Sequence, residues 1–168
     1  PVALGTSSPS RPIQTAAARS SWLNASSREL MRPNVVRSPA AASAELRLSL
    51  AAKSIRELLP AAEELGVNMA LENVWNKFLL SPVEMRDFID QFDSEYVKAY
   101  FDVGNILLYG YPVHWIEVLG ERIVRVHVKD FDTNTRQFVP LLTGSVDYPR
   151  VVNALRGVGY DGWLTAEL

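Results

Sequence analysis

The sequence predicts an α/β fold with parallel strands, assembled from four βα units of a (β/α)8 barrel. Three observations predict it. Four short apolar stretches, residues 67–73, 97–105, 123–130 and 162–168, read as strands, and each carries one candidate ligand side chain at or near its end: Glu72, Asp102, His127 and Glu167. Side chains alternate between the faces of a strand. In each stretch the ligand shares its face with the more polar positions: Ala70 and Asn68, Tyr100 and Lys98, Arg125 and Ile123, Thr165 and Trp163. The opposite faces are apolar, as in Val97, Ala99 and Phe101. Finally, every interval between ligands contains a helical segment. An antiparallel sheet with one wet face gives the same alternation, but its hairpins do not hold helices, whereas parallel βα units do.

Taken in order, residues 1–44 are rich in Ala, Ser, Pro and Arg, with Glu29 as the lone acid, and no apolar period persists. They read as a low-complexity, disordered lead-in. Organelle transit peptides share that composition, but a chain starting at Pro1 reads as cut from something longer. A helix is expected from about Glu45 to Leu65, with Leu46, Leu50, Ile55, Leu58, Leu59, Ala62 and Leu65 as its apolar stripe. Pro60 predicts a kink or two shorter helices, and Gly66 a stop. After the Glu72 strand and a loop at 74–80, Ser81-Pro82-Val83-Glu84 is a helix start, with Ser as cap, Pro at the first position and Glu at the third. Met85, Phe88, Ile89 and Phe92 form its buried face. The Asp102 strand leads into a loop through Tyr111, then a short helix from Pro112 to Leu119 closed by Gly120. The His127 strand is followed by a long loop from about Lys129 to Val146. Asp147 caps a helix carrying Val151, Val152, Ala154 and Leu155, and the Glu167 strand ends the chain.

Four units make half of a barrel that needs about 250 residues, so residues 45–168 are expected to be one half of such a domain. A formal net charge of −2 gives no basic face for nucleic acid. No apolar run approaches the roughly 20 residues of a membrane span. The chain has no cysteine, which excludes disulfides and thiolate metal sites and favours a reducing compartment; a cytoplasmic location is expected. Homo-oligomerisation is left open.

Catalytic groups of such barrels sit at strand ends. Two Glu, one Asp and one His make an oxygen-rich set that suits Mn²⁺, Mg²⁺ or Co²⁺ better than structural zinc. Singly, each is better explained as a satisfied buried polar group or a solvated strand end; four of matching parity at matching strand ends favour one divalent metal site, with Mn²⁺ first and Zn²⁺ still open. Lys98 and Arg125 share the inward face and read as charge balance. Lys129 either holds a substrate hydroxyl or phosphate or is a solvated loop lysine. His114 reads as a surface residue, and Trp75, Phe78 and Trp163 as pocket lining or as packing under loops.

Leu71-Glu72-Asn73, Phe101-Asp102-Val103-Gly104-Asn105, Val126-His127-Val128-Lys129-Asp130 and the run from Gly159 to Glu167 resemble the xylose-isomerase-like TIM barrels, and within them the sugar-phosphate isomerase/epimerase group. The resemblance covers about residues 45–168 and the last four βα units. It implies that Glu72, Asp102, His127 and Glu167 bind one divalent metal. It also implies that Glu72 and Glu167 exchange a proton at a carbon beside a carbonyl, through an enediolate, in a sugar or sugar phosphate. Two positions depart from the ketose 3-epimerases: Asn105, a candidate substrate contact, stands where they carry a substrate-binding His, and Thr133 where they carry an Arg. The endonuclease IV branch needs further histidines than His114 and His127. The alternative is a non-catalytic half-barrel fragment that needs a partner half.

Overall fold

A computed structural model describes residues 39–167; the greater part of the expected lead-in, residues 1–38, lies outside them. Residues 44–168 make one compact unit. The helix α1 runs from Pro39 to Leu65, beginning six residues before the expected Glu45. It continues through Pro60, so the two-helix alternative does not arise. Then follow β1 (Met69–Glu72), α2 (Pro82–Asp90), β2 (Val97–Asp102), α3 (Val103–Ile106), α4 (Pro112–Leu119), a 3-10 turn, β3 (Ile123–Val128), β4 (Asp130–Asp132), β5 (Gln137–Val139), α5 (Tyr148–Gly157) and β6 (Leu164–Ala166). Among these helices none is long and apolar enough to cross a membrane.

The expected caps form. Ser81 Oγ accepts from the Glu84 amide, and Glu84 reaches back to the Ser81 amide, closing a capping box at α2. Asp147 accepts from the Arg150 amide at the start of α5. Gly120 closes α4 with φ 53°, a conformation glycine adopts without penalty.

Strands β1, β2, β3 and β6 form one parallel sheet in that order, which gives the partial barrel that the strand-helix spacing predicts. Its apolar face is the core: Val97, Ala99, Phe101 and Val126 pack with Met85, Phe88 and Ile89 of α2, Trp115, Ile116 and Leu119 of α4, and Val151 and Leu155 of α5. Burying such side chains supplies roughly 1.5–3 kcal/mol each, and this is what fixes the polar face, with the candidate ligands, on the other side.

Three expectations are corrected. Ile123 does not share a face with His127. The register slips by one residue between Ala99 and Tyr100, so Ile123 pairs with Ala99 and is buried, while Arg125 pairs with Tyr100. A one-residue irregularity reverses parity on one side of it only. The α1 stripe is also narrower than expected. Ala52 and Ala62 are buried and Ile55 and Leu59 packed, but Leu46, Leu50, Leu58 and Leu65 are 54–73 % exposed. Lastly, the long loop after His127 contains an antiparallel hairpin, β4 with β5, pairing Phe131 with Phe138.

Behind the candidate ligands two backbone segments approach closely. A Cβ on Gly104 would lie 2.5 Å from the Lys129 carbonyl oxygen. Gly104→Ala is therefore expected to destabilise the chain by about 1–3 kcal/mol through backbone displacement, read as a lower denaturation midpoint with an unchanged slope.

Candidate metal centre

Strand register brings the four candidate ligands together. Glu72 pairs with Tyr100, so Asp102 stands two residues further along its strand. Asp102 pairs with His127. His127 pairs with Thr165, which leaves Glu167 two residues further again. Steps of two preserve the face, and tilted barrel strands bring such staggered positions to one mouth. One ligand atom from each of Glu72, Asp102, His127 and Glu167 lies within 4.8 Å of all the others. His127 Nδ1 is 3.2 Å from Glu72 Oε1, 3.5 Å from Glu167 Oε2 and 4.0 Å from Asp102 Oδ2. The Tyr100 ring supports the imidazole at 4.1 Å between centroids.

Asp102 is the most constrained member. Its side chain is fully buried. Oδ1 accepts from the Asn105 amide at 2.7 Å, capping α3, where a glycine break into a loop was expected. Oδ2 has no hydrogen bond. Burial, the largest influence, pushes the Asp102 carboxyl up to about 7, against the Asn105 amide and Lys129, which lower it. A buried carboxylate oxygen left without a partner is costly. A divalent cation held by Glu72, Asp102, His127 and Glu167 would satisfy it, so these residues fit such an ion, with oxygens in the majority and one imidazole.

Asn73 fixes Asp102 from the neighbouring strand. Its side-chain oxygen accepts from the Asp102 amide at 2.8 Å, and its side-chain nitrogen donates to the Asp102 carbonyl at 2.8 Å. This continues the β1–β2 ladder by one residue through a side chain. Asn105, expected to contact substrate, is buried, and its side-chain nitrogen donates to the Asn73 carbonyl at 3.1 Å. Its observed contacts hold the loop after β1.

Lys129 is not a solvated loop lysine. Its side chain is 16 % exposed and its Nζ lies 3.0 Å from Glu167 Oε2. That contact, above all else, holds the Glu167 carboxyl below its usual range. Lys129 supplies the charge balance expected of Lys98 and Arg125, neither of which makes an ion pair to the cluster among the described residues; Arg125 donates to the Val124 carbonyl instead. His114 is exposed, as expected, beside Tyr111. Trp163 is 73 % exposed, and Phe78 packs edge-on against Phe88. Trp75 belongs to a ring cluster with Phe131 and Phe138.

Sequence reasoning missed Asn73 and Asp130. Both stand inside the quoted motifs, one residue after Glu72 and three after His127. Asp130 is buried and accepts from the amides of Phe131, Gly144 and Val146. Phe138 carries no local signal beyond the period of Gln137-Phe138-Val139.

A family model described as xylose isomerase-like TIM barrel matches residues 14–168. An uncharacterised protein of Methanocaldococcus jannaschii is 26 % identical over 120 residues, 68 % of this chain and 41 % of that protein. A xylose isomerase domain protein from Planctomyces limnophilus superposes with TM-score 0.62 at 27 % identity, covering 71 % of this chain and 46 % of the other. A D-psicose 3-epimerase from Clostridium cellulolyticum H10, solved with D-tagatose, superposes with TM-score 0.62 at 25 % identity, over 71 % and 41 %. The chain thus spans less than half the length of these relatives.

The raised Asp102 carboxyl has a sign that a titration reads. Its ordinary value is 3.8, so between about 4 and 7 the folded chain keeps a proton that the unfolded chain releases. Stability of the metal-free chain is expected to fall as pH rises through that window and to level off above it. Asp102→Asn removes the slope. Chemical denaturation in EDTA at several pH values checks both.

Proposed function

The chain belongs to the xylose isomerase-like TIM barrel family, and on that footing we propose that it acts on a sugar or sugar phosphate as a metal-dependent isomerase or epimerase. The observation that carries this reading is the convergence of four ligand atoms within 4.8 Å around a buried Asp102 oxygen that has no hydrogen bond. Glu72, Asp102, His127 and Glu167 are the residues that would hold one divalent cation, Mn²⁺ first. When bound, such an ion supplies Lewis acidity to a carbonyl and its neighbouring hydroxyl.

The chain's own residues supply the rest. Glu72 ends β1 and Glu167 follows β6, the two outer strands of the sheet. In this reading they flank the substrate carbon, one removing the proton and the other returning it. Return to the opposite face inverts the carbon; return to the neighbouring carbon interconverts aldose and ketose. The Lys129 ammonium keeps Glu167 ionised and so able to accept a proton. Lys129 also offers a cation to a substrate hydroxyl or phosphate. Asn105 acts from behind, on Asp102 and the loop after β1.

A second reading is a half-barrel that works only when another half closes it. It is favoured by the edges β1 and β6, which pair with no further strand among the described residues, and by the exposed leucines of α1.

Mn²⁺ at 100 times its dissociation constant adds about 2.7 kcal/mol to the folded state, an expected rise of roughly 5–10 °C in Tm. Glu167→Gln is expected to abolish the rise. Ketoses and their phosphates are then assayed for proton exchange in deuterated solvent, with at least a 100-fold loss expected in Glu72→Gln and Glu167→Gln. A Tm indifferent to metal defeats the metal reading. A metal-dependent Tm without turnover favours the half that needs a partner.

A further inference from the structure

We propose that Phe138 is a positioning residue for the Lys129–Glu167 ion pair, an inference that rests on Glu167 being one of the metal-holding groups. The Lys129 ammonium has two partners at once. Nζ lies 3.0 Å from Glu167 Oε2 and 4.5 Å from the centroid of the Phe138 ring. The carboxylate oxygen it takes is the one that faces the cluster, 3.5 Å from His127 Nδ1. A lysine is a flexible four-carbon stem, and a single partly exposed carboxylate holds it weakly. The ring face adds a cation–π attraction.

The ring is itself held in place. Phe138 stacks on Trp75 at 4.8 Å between centroids and 25° between planes, and meets Phe131 edge-on at 5.3 Å. The Trp75 indole donates to the Asn105 carbonyl at 2.8 Å, which ties the stack to the turn that Asp102 caps. The root of the hairpin is clipped by the Asp130 carboxylate. Behind the side chain, Tyr148 Oη donates to the Lys129 carbonyl at 3.2 Å. Backbone and ammonium are therefore fixed from separate elements, and of the ammonium's two partners Phe138 is the one outside both the main sheet and the cluster.

A fixed ammonium on Glu167 Oε2 competes with any divalent cation for that oxygen. Removing the ring lets the ammonium swing into solvent and frees the carboxylate. Phe138→Leu is thus expected to bind Mn²⁺ about two- to fivefold more tightly, the size of an exposed cation–π contact, although it removes packing. Phe138→Tyr keeps the wild-type affinity. Lys129→Met tightens Mn²⁺ as well, and adding Phe138→Leu to it has no further effect. Calorimetric titration of these chains decides. Weaker or unchanged Mn²⁺ binding in Phe138→Leu, or an equal effect in the Lys129→Met background, overturns the proposal and leaves the ring as packing alone. A wild-type chain that binds no Mn²⁺ defeats the metal reading instead. Unfolding in EDTA then tests the contact: stability changes of Phe138→Leu and Lys129→Met that fall short of additivity support it, and strictly additive changes overturn it.

Discussion

The site depends on two hydrogen bonds that a side chain makes in place of a strand. Asn73 binds both the amide and the carbonyl of Asp102 across the parallel β1–β2 pair. Backbone groups at a buried strand end must find partners, and here the partner is an amide one residue past Glu72. The same residue thus follows the end of β1 and fixes the end of β2. Asn105 closes the arrangement by binding the Asn73 carbonyl with its side chain and Asp102 Oδ1 with its amide. With one oxygen committed to the turn, Asp102 has only the other to turn toward the cluster.

That geometry shifts two acids of the cluster in opposite directions. A buried carboxylate prefers its proton, and burial raises Asp102 accordingly. Glu167, nearly half exposed and beside Lys129, is shifted the opposite way. Two acids of one cluster are therefore driven apart by their surroundings, one by lack of water and one by an adjacent cation. Such separation is common where acids take different roles. The apolar face carries the cost: Phe101 and Val126, neighbours in sequence of Asp102 and His127, are fully buried against the helices.

A second layer lies over the mouth. The hairpin of β4 and β5 is no part of the main sheet, yet its Phe138 reaches the Lys129 ammonium and its Phe131 the Trp75 ring. Two loops on the side of the sheet that carries the Glu72–Asp102–His127–Glu167 cluster are joined by aromatic rings, with 42 % of both Trp75 and Phe138 left exposed. Loops that carry function on a rigid strand scaffold follow the same division of labour.

The sequence by itself determined what is local. Period-two alternation assigned Glu72, Asp102, His127 and Glu167 to the polar faces, because the helices can bury only one side of each strand. Ser81 with Glu84, and Asp147, marked their helix starts, since a cap bonds within its own first turn. Helix-bearing intervals required parallel strands. Tertiary structure alone decided what depends on residues distant in the chain: the slip that moves Ile123 to the core, the pairing of Asn73 with Asp102 across 29 positions, the capture of Lys129 by Glu167, and the exposure of the α1 leucines. None of these follows from periodicity. Each is set by register and contact between strands or loops, and one residue of register exchanges the faces of a whole strand.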